Sequence, residues 1–417
     1  MPMSAEFKAR LDPILPKICG HFGTPFHIYD EIGIRDTGEK LLSAFAGVHR
    51  FQEFFAVKAL PNPRILKIMH DLGFGFDCSS VPELILSRQA GGTPDRIMFT
   101  SNNTSADEFT VAFSKGGCII NLDDISLLDR LPDIPETLSF RYNPGERRAG
   151  NNIIGNPMEA KFGISHEQRF AAYKTAREKG VKHFGLHAMI VSNERDYCSM
   201  VHTTTMLLEI VAELKAGLGI QMAFINIGGG LGIPYQPEQE ALNIEALGDA
   251  VSKLLDEFQE KYGYAPALYL ESGRYMTGSH GVLITKVLTR KETYRTYVGV
   301  DASMSSLMRP AMYDAYHHID VYGKDDADFF EKVDVVGSLC ENNDKFAVQR
   351  LLPRLDVGDT LIIHDTGAHG HAMGFNYNGR LRPKELLLCA DGSVELIRRE
   401  ETLVDYFATL DFVPKSL

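Results

Sequence analysis

The sequence predicts an α/β protein, a (β/α)8 TIM barrel carrying a second, mainly antiparallel β domain, on three observations. From about residue 53 to 275, short β-branched or aromatic runs alternate with helical patterns, the mark of repeated βα units. Eight such runs are present, the number that closes a barrel. After Arg274 the pattern changes to consecutive β-like runs with few helical stripes. A chain of 417 residues also exceeds the ~100–200 residues of an ordinary domain and has room for a barrel and a second module.

The eight expected strands cover 54–58, 74–79, 97–101, 118–122, 138–142, 183–190, 223–227 and 268–271. In the first, bulky residues stand on both sides of the run from Phe54 to Val57, as in a strand buried on both faces. Between the strands, Leu207, Ile210, Val211, Leu214 and Leu218 keep the helical period, and Gly217 or Gly219 can end that helix. Ile244, Leu247, Val251, Leu254, Leu255 and Phe258 form a second apolar stripe, closed near Gly263. Ser80 and Glu83 have capping-box spacing directly after a strand, which suits a βα junction. The least regular stretch is GERRAGNNIIGNP, read as a loop from its Gly, Asn and Pro clusters. GVLITKVLTRKETYRTYVGVDAS and DTLIIHD supply strands of the second domain. The expected division is 1–40 as an N-terminal segment joining the β domain through TPFHIYD, 41–280 as the barrel and 281–417 as the β domain.

Composition narrows the partners. Hydrophobic residues make up 44% and charged residues 24%, ordinary for a chain with a large core, and no apolar run approaches the roughly 20 residues of a membrane helix. The net charge of −12 opposes binding to nucleic acid or an anionic bilayer, both of which need a surplus of Lys and Arg. A small molecule is the expected partner. The start, MPMSAEFKARLDPILPK, lacks the apolar core of a secretory signal, so the cytoplasm is the expected compartment. Cys19, Cys78, Cys118, Cys198, Cys340 and Cys389 stand singly, without metal-ligand spacing, and read as reduced thiols.

Three segments carry chemistry. EFFAVKALPNPRIL ends an apolar run with Lys58, placing an amine where barrel enzymes keep their catalytic groups; the bland alternative is a solvated, snorkelling lysine. INIGGGLGIPY places Gly228, Gly229 and Gly230 directly after a strand, where backbone N–H groups can approach a phosphate. The run lacks the GxGxxG spacing of a dinucleotide site, and a plain tight turn is its alternative. LESGRYMTG puts Glu271 and Arg274 after the next strand, Arg274 suited to a phosphate or carboxylate and Glu271 to a protonated ring nitrogen. Taken separately, the last two residues also suit a structural ion pair. An amine, a glycine cradle and a carboxylate for a pyridinium together describe a pyridoxal 5'-phosphate site.

The order FFAVKA, GFDCSS, NIGGGLGIPY, ESGRYMTG, LMRPAMYDAYHHI, VVGSLCENNDKF and HDTGAHGHAMGFNYNGRLRPKELLL resembles the alanine-racemase-like pyridoxal phosphate decarboxylases, over about residues 24–407. The resemblance implies that Lys58 is the Schiff-base lysine, that the three glycines and Arg274 hold the phosphate, and that Glu271 pairs with the ring nitrogen. It places Asp77 among the cofactor-binding residues. Cys340 matches the family cysteine that returns a proton to the substrate carbon, donated from the partner subunit of a homodimer. Within the family the motifs lie nearest the enzymes that decarboxylate meso-diaminopimelate to L-lysine. Arg309 and Glu341 match the residues for that substrate's distal carboxylate and ammonium, and Tyr313 and Arg274 complete its pocket. Ornithine-type relatives carry Asp after the cysteine, where this chain has Glu341. Alternatives are decarboxylation of ornithine, arginine or carboxynorspermidine, a racemase, and an inactive homologue that binds a protein.

Two positions depart from the pattern. The family's HxHIGS reads His187-Ala-Met-Ile-Val-Ser192 here, so Met189 stands where an imidazole stacks on the cofactor, and His187 is either its substitute or a core histidine. The tyrosine of the family's GAY motif is His369. Tyr377, eight residues later, is its possible replacement near the cofactor.

Overall fold

A computed structural model describes residues 3–150 and 155–411. Part of the expected loop GERRAGNNIIGNP, residues 151–154, lies outside them. The chain forms two compact units, one of Ile34–Pro234 with Glu240–Met276, the other drawn from Met1–Gly33, Tyr235–Gln239 and Thr277–Leu417.

Chain order begins in the second of these. Helices Ala5–Leu11 and Leu15–Phe22 precede strand β1 (Phe26–Asp30). Phe7, Leu11, Leu15 and Ile18 from the helices bury against Phe26, Ile28, Val282 and Ile284 of the sheet. Such contacts stabilise by roughly 25 cal/mol for each Å² of apolar surface removed from water.

The other unit is the barrel. Its eight parallel strands are β2 (Phe51–Ala56), β3 (Gly75–Cys78), β4 (Ile97–Phe99), β5 (Ile119–Leu122), β6 (Thr137–Arg141), β7 (His183–His187), β8 (Met222–Asn226) and β9 (Ala267–Leu270). They pair in sequence order and close on themselves. All eight expected strands are present, with shifted ends. β2 starts at Phe51 because its first half pairs with β9, Phe51 opposite Leu268. The expected 183–190 run ends as strand at His187. Phe54, Met98, Ile119, Phe224 and Ala267 fill one layer of the interior.

Both expected helices form. Tyr197–Leu218 and Ile244–Tyr262 each end on a left-handed glycine, Gly219 at φ 70° and Gly263 at φ 76°, a conformation glycine adopts without steric cost. The capping box does not form as expected. Ser80 precedes helix Val81–Gln89 without a side-chain cap bond. Instead Glu83 accepts the backbone N–H and hydroxyl of Ser79, at 2.6 and 3.0 Å. Pro82, inside the first turn, removes one of the N–H groups an N-cap hydroxyl serves.

The remaining strands are β10 (Gly281–Glu292), β11 (Thr296–Val300), β12 (Ile319–Val321), β13 (Phe330–Val336), β14 (Lys345–Pro353), β15 (Thr360–Ile363), β16 (Lys384–Leu388) and β17 (Val394–Arg398). With β1 they form a sheet ordered β14-β13-β11-β10-β1-β16-β17, and β15 pairs with β10 and β12. Most pairs are antiparallel; β1–β16 and β11–β13 are parallel. All six cysteines are free. Among the described residues no helix is long and apolar enough to cross a membrane, and no cluster of His, Cys, Asp and Glu is arranged to hold a metal ion.

Candidate active site

In the barrel unit, the sequence-identified residues collect at the carboxyl ends of the strands. Lys58 lies beyond β2, in the 3-10 turn Val57–Ala59, and is exposed between buried neighbours. The expected strand-end position is therefore corrected to a turn just past the end of β2. Asp77 on β3 is buried, and its Oδ1 has no hydrogen-bond partner. Burial first, then the negative charge of Glu271, push its carboxyl well above the ordinary range, against the opposing charge of Lys58.

Glu271 follows β9 and is 7% exposed. Its Oε1 accepts from Asn226 Nδ2 at 2.7 Å and its Oε2 from His187 Nε2 at 3.2 Å. Burial alone raises its pKa; the contact with His187, the charge of Lys58 and the Asn226 hydrogen bond outweigh it and hold the carboxyl below its ordinary value. His187, at the end of β7, is buried and takes a second bond at Nδ1 from Asn121 Nδ2, at 3.0 Å. It is a core histidine with both ring nitrogens engaged, placed beside Glu271.

Asn226 also shapes the glycine turn, accepting the Gly228 N–H at 2.9 Å, while the Glu271 N–H donates to Gly228 O at 2.9 Å. A Cβ on Gly228 would stand 2.5 Å from Ala188 O and 3.1 Å from Met189 Sδ. On Gly229 it would strike Glu271 O, and on Gly230 Val191 O. The three glycines are thus required by close backbone packing of the strand ends. With the Gly228 N–H committed to Asn226, a phosphate would rest on Gly229, Gly230 and Arg274. Arg274 opens the short helix Arg274–Thr277 and is 9% exposed.

The turn before Arg274 is fixed by Glu53, a buried carboxyl inside β2. It accepts the Ser272 N–H at 2.6 Å and the Ser272 hydroxyl at 3.3 Å. Burial, with a smaller contribution from Glu271, pushes its pKa up to about 8 against the pull of the Ser272 bonds.

In the β unit, Cys340 is exposed and its backbone N–H donates to Asn378 Oδ1 at 2.7 Å. Asn378 belongs to the turn Tyr377–Gly379, so the exposed Tyr377 borders the residue that holds the cysteine loop. Buried Asp344 accepts the N–H groups of Leu339 at 2.8 Å and Met304 at 2.6 Å, and so folds the loop on which Cys340 and the exposed Glu341 sit. Arg309 is 4% exposed. Its Nη1 lies 2.9 Å from His317 Nε2 and its guanidinium 4.6 Å from the Tyr235 ring centre. His317 Nδ1 donates to His364 O at 2.7 Å, so Nε2 accepts from Arg309. Tyr313 is exposed at the end of the helix Arg309–Tyr313. His369 is half-buried at φ 56°. Asp365 is fully buried, and neither carboxylate oxygen has a hydrogen-bond partner; burial raises its pKa strongly and the charge of Arg309 lowers it.

Sequence reasoning missed Asn121, Asn226, Glu53, Asp344, Asn378 and Asp365. Asn226 had a signal, an amide set in an apolar strand directly before three glycines. Asn121 and Glu53 had none, being single polar residues in apolar runs. The barrel residues fit pyridoxal phosphate: a buried, ionised carboxylate for a ring nitrogen, an exposed amine beside two carboxylates, and a glycine turn next to an arginine.

The family model for the pyridoxal-dependent decarboxylase pyridoxal-binding domain matches residues 34–278. Protein TabA of Pseudomonas amygdali pv. tabaci is 45% identical over 99% of this chain and 97% of its own length. A diaminopimelate decarboxylase of Methanothermobacter thermautotrophicus is 39% identical over 93% and 92%. The crystal structure of diaminopimelate decarboxylase from M. jannaschii in complex with L-lysine superposes with a TM-score of 0.88 at 33% identity, covering 95% of this chain and 94% of that one.

Proposed function

The chain belongs to the pyridoxal-dependent decarboxylases, amino-acid carboxy-lyases that use pyridoxal 5'-phosphate, and from that premise we propose that it converts meso-diaminopimelate to L-lysine and carbon dioxide. The observation that carries the reading is the loop built by Asp344, which presents an exposed thiol, Cys340, followed by the exposed carboxylate of Glu341. A substrate with two amino-acid centres needs an anion for its distal ammonium and a cation for its distal carboxylate. Glu341 and Arg309 supply those charges, and Tyr313 and Arg274 complete the binding set.

Bound cofactor supplies an electron sink for the bond between the α-carbon and its carboxylate. Lys58 would anchor that group through its amine, which the turn Val57–Ala59 leaves exposed. Glu271 keeps a proton on the ring nitrogen, and Gly229, Gly230 and Arg274 hold the phosphate. Cys340, contributed by the second chain of a homodimer, returns a proton to the α-carbon from its Sγ. Diaminopimelate decarboxylases are frequent among the relatives, which supports the same substrate.

A second reading, decarboxylation of a different diamino acid, is favoured by two observations. His369 and Met189 depart from the motifs that the family resemblance rests on, and the 45% identical relative bears a different name. Parallel assays decide between the readings. With meso-diaminopimelate, ornithine, arginine and carboxynorspermidine supplied separately, the proposal expects the highest kcat/KM for meso-diaminopimelate. A higher value for any of the others refutes it.

A further inference from the structure

Glu271 is one end of a buried polar relay that crosses the barrel strands. Asn121 Nδ2, on β5, lies 3.3 Å from Thr100 Oγ1 and 3.0 Å from His187 Nδ1. An amide nitrogen only donates, so His187 Nδ1 accepts, and the ring hydrogen sits on Nε2, which donates to Glu271 Oε2 at 3.2 Å. Asn226 donates to the other oxygen at 2.7 Å. Each carboxylate oxygen therefore receives one fixed donor and keeps a further lone pair for a ring N–H. Asn121, His187, Asn226 and Glu271 are all buried in the barrel unit. A buried carboxylate stays charged only where such donors offset its desolvation.

We propose that His187, fixed by Asn121 as the neutral imidazole with its hydrogen on Nε2, is a positioning residue that aims and keeps ionised the Glu271 carboxylate, and thereby sets how fully the cofactor's ring nitrogen is protonated. The inference rests on the reading of Glu271 as the partner of that nitrogen. His187 does its work from the strand end, through the carboxylate, and need not stack on the ring; Met189 stands at the stacking position of the motif. A histidine that merely fills the core would leave the ring nitrogen indifferent to its removal.

The test uses ¹⁵N spectra of the holoenzyme in two labelling schemes. With labelled histidine, the proposal expects the His187 signals of the Nε2–H tautomer. A signal from the Nδ1–H tautomer or from a doubly protonated ring overturns it, and this measurement needs no variant. With labelled pyridoxal phosphate, His187→Leu is expected to move the ring-nitrogen signal towards unprotonated pyridine and to lower kcat by about tenfold or more with KM within about twofold. His187→Gln, which keeps a donor for Glu271, restores most of both. A folded His187→Leu variant with the wild-type ring-nitrogen signal refutes the proposal. Glu271→Gln separates the two levels. If it too leaves the signal unmoved, the reading of Glu271 has failed; if it moves the signal and His187→Leu does not, only the role of His187 has.

Discussion

Lys58 lies in a 3-10 turn between buried Val57 and Ala59, so its side chain adds little packing and projects from the strand end. We expect Lys58→Ala to retain the fold and to lose turnover, because the covalent anchor of the cofactor is gone. Unfolding curves and a steady-state assay on the same sample check this; turnover near the wild-type rate refutes the assignment. Glu53 gives a prediction in pH. Its folded pKa of about 8 lies above the ordinary carboxylate value, so its contribution to stability is full below the unfolded pKa and is lost as pH rises towards 8. Glu53→Gln stays neutral and keeps an acceptor for the Ser272 N–H. The stability of the variant minus that of the wild type should therefore rise between pH 5 and 8, by on the order of 1 kcal/mol per unit. Denaturant titrations at four pH values measure it, and a flat difference contradicts the assignment. Lys58, Glu271 and the glycines were legible because each stands at the end of an apolar run. Asn121 and Glu53 were not, because one polar residue inside such a run carries no period and shows its partner only once the barrel closes.

At the level of elements, the eight barrel strands were legible as short β-branched or aromatic runs alternating with helical patterns, and their ends were not. Which residue begins a strand is decided by its neighbour: Phe51 joins β2 because Leu268 of β9 lies opposite. Local chemistry also misleads where a proline intervenes, as the unformed cap at Ser80 shows. The loop carrying Cys340 depends on one buried side chain. Asp344 accepts the N–H groups of Leu339 and Met304, and an asparagine there would set an NH2 group against one of these donors. Asp344→Asn should cost about 1–3 kcal/mol in stability and lower kcat, with the affinity for pyridoxal phosphate unchanged, since Lys58, Glu271, Arg274 and the three glycines lie in the barrel unit. Fluorescence titration of the cofactor and a kcat measurement separate the two effects. A loss of cofactor affinity without a change in kcat contradicts the placement.

At the scale of the whole molecule, the proposed homodimer joins Lys58 of one chain to Cys340 of the other. Lys58→Ala and Cys340→Ala, each inactive alone, should then recover up to about a quarter of wild-type activity after subunit exchange, because half the dimers are mixed and each of these holds one intact site. No recovery after proven exchange rules out a shared site. The reaction itself is tested most directly by supplying meso-diaminopimelate to the protein loaded with pyridoxal phosphate and counting lysine and carbon dioxide in one vessel. The prediction is one lysine for each carbon dioxide, with both absent from Lys58→Ala. Diaminopimelate left intact by the loaded wild-type protein, or carbon dioxide released without lysine, contradicts it.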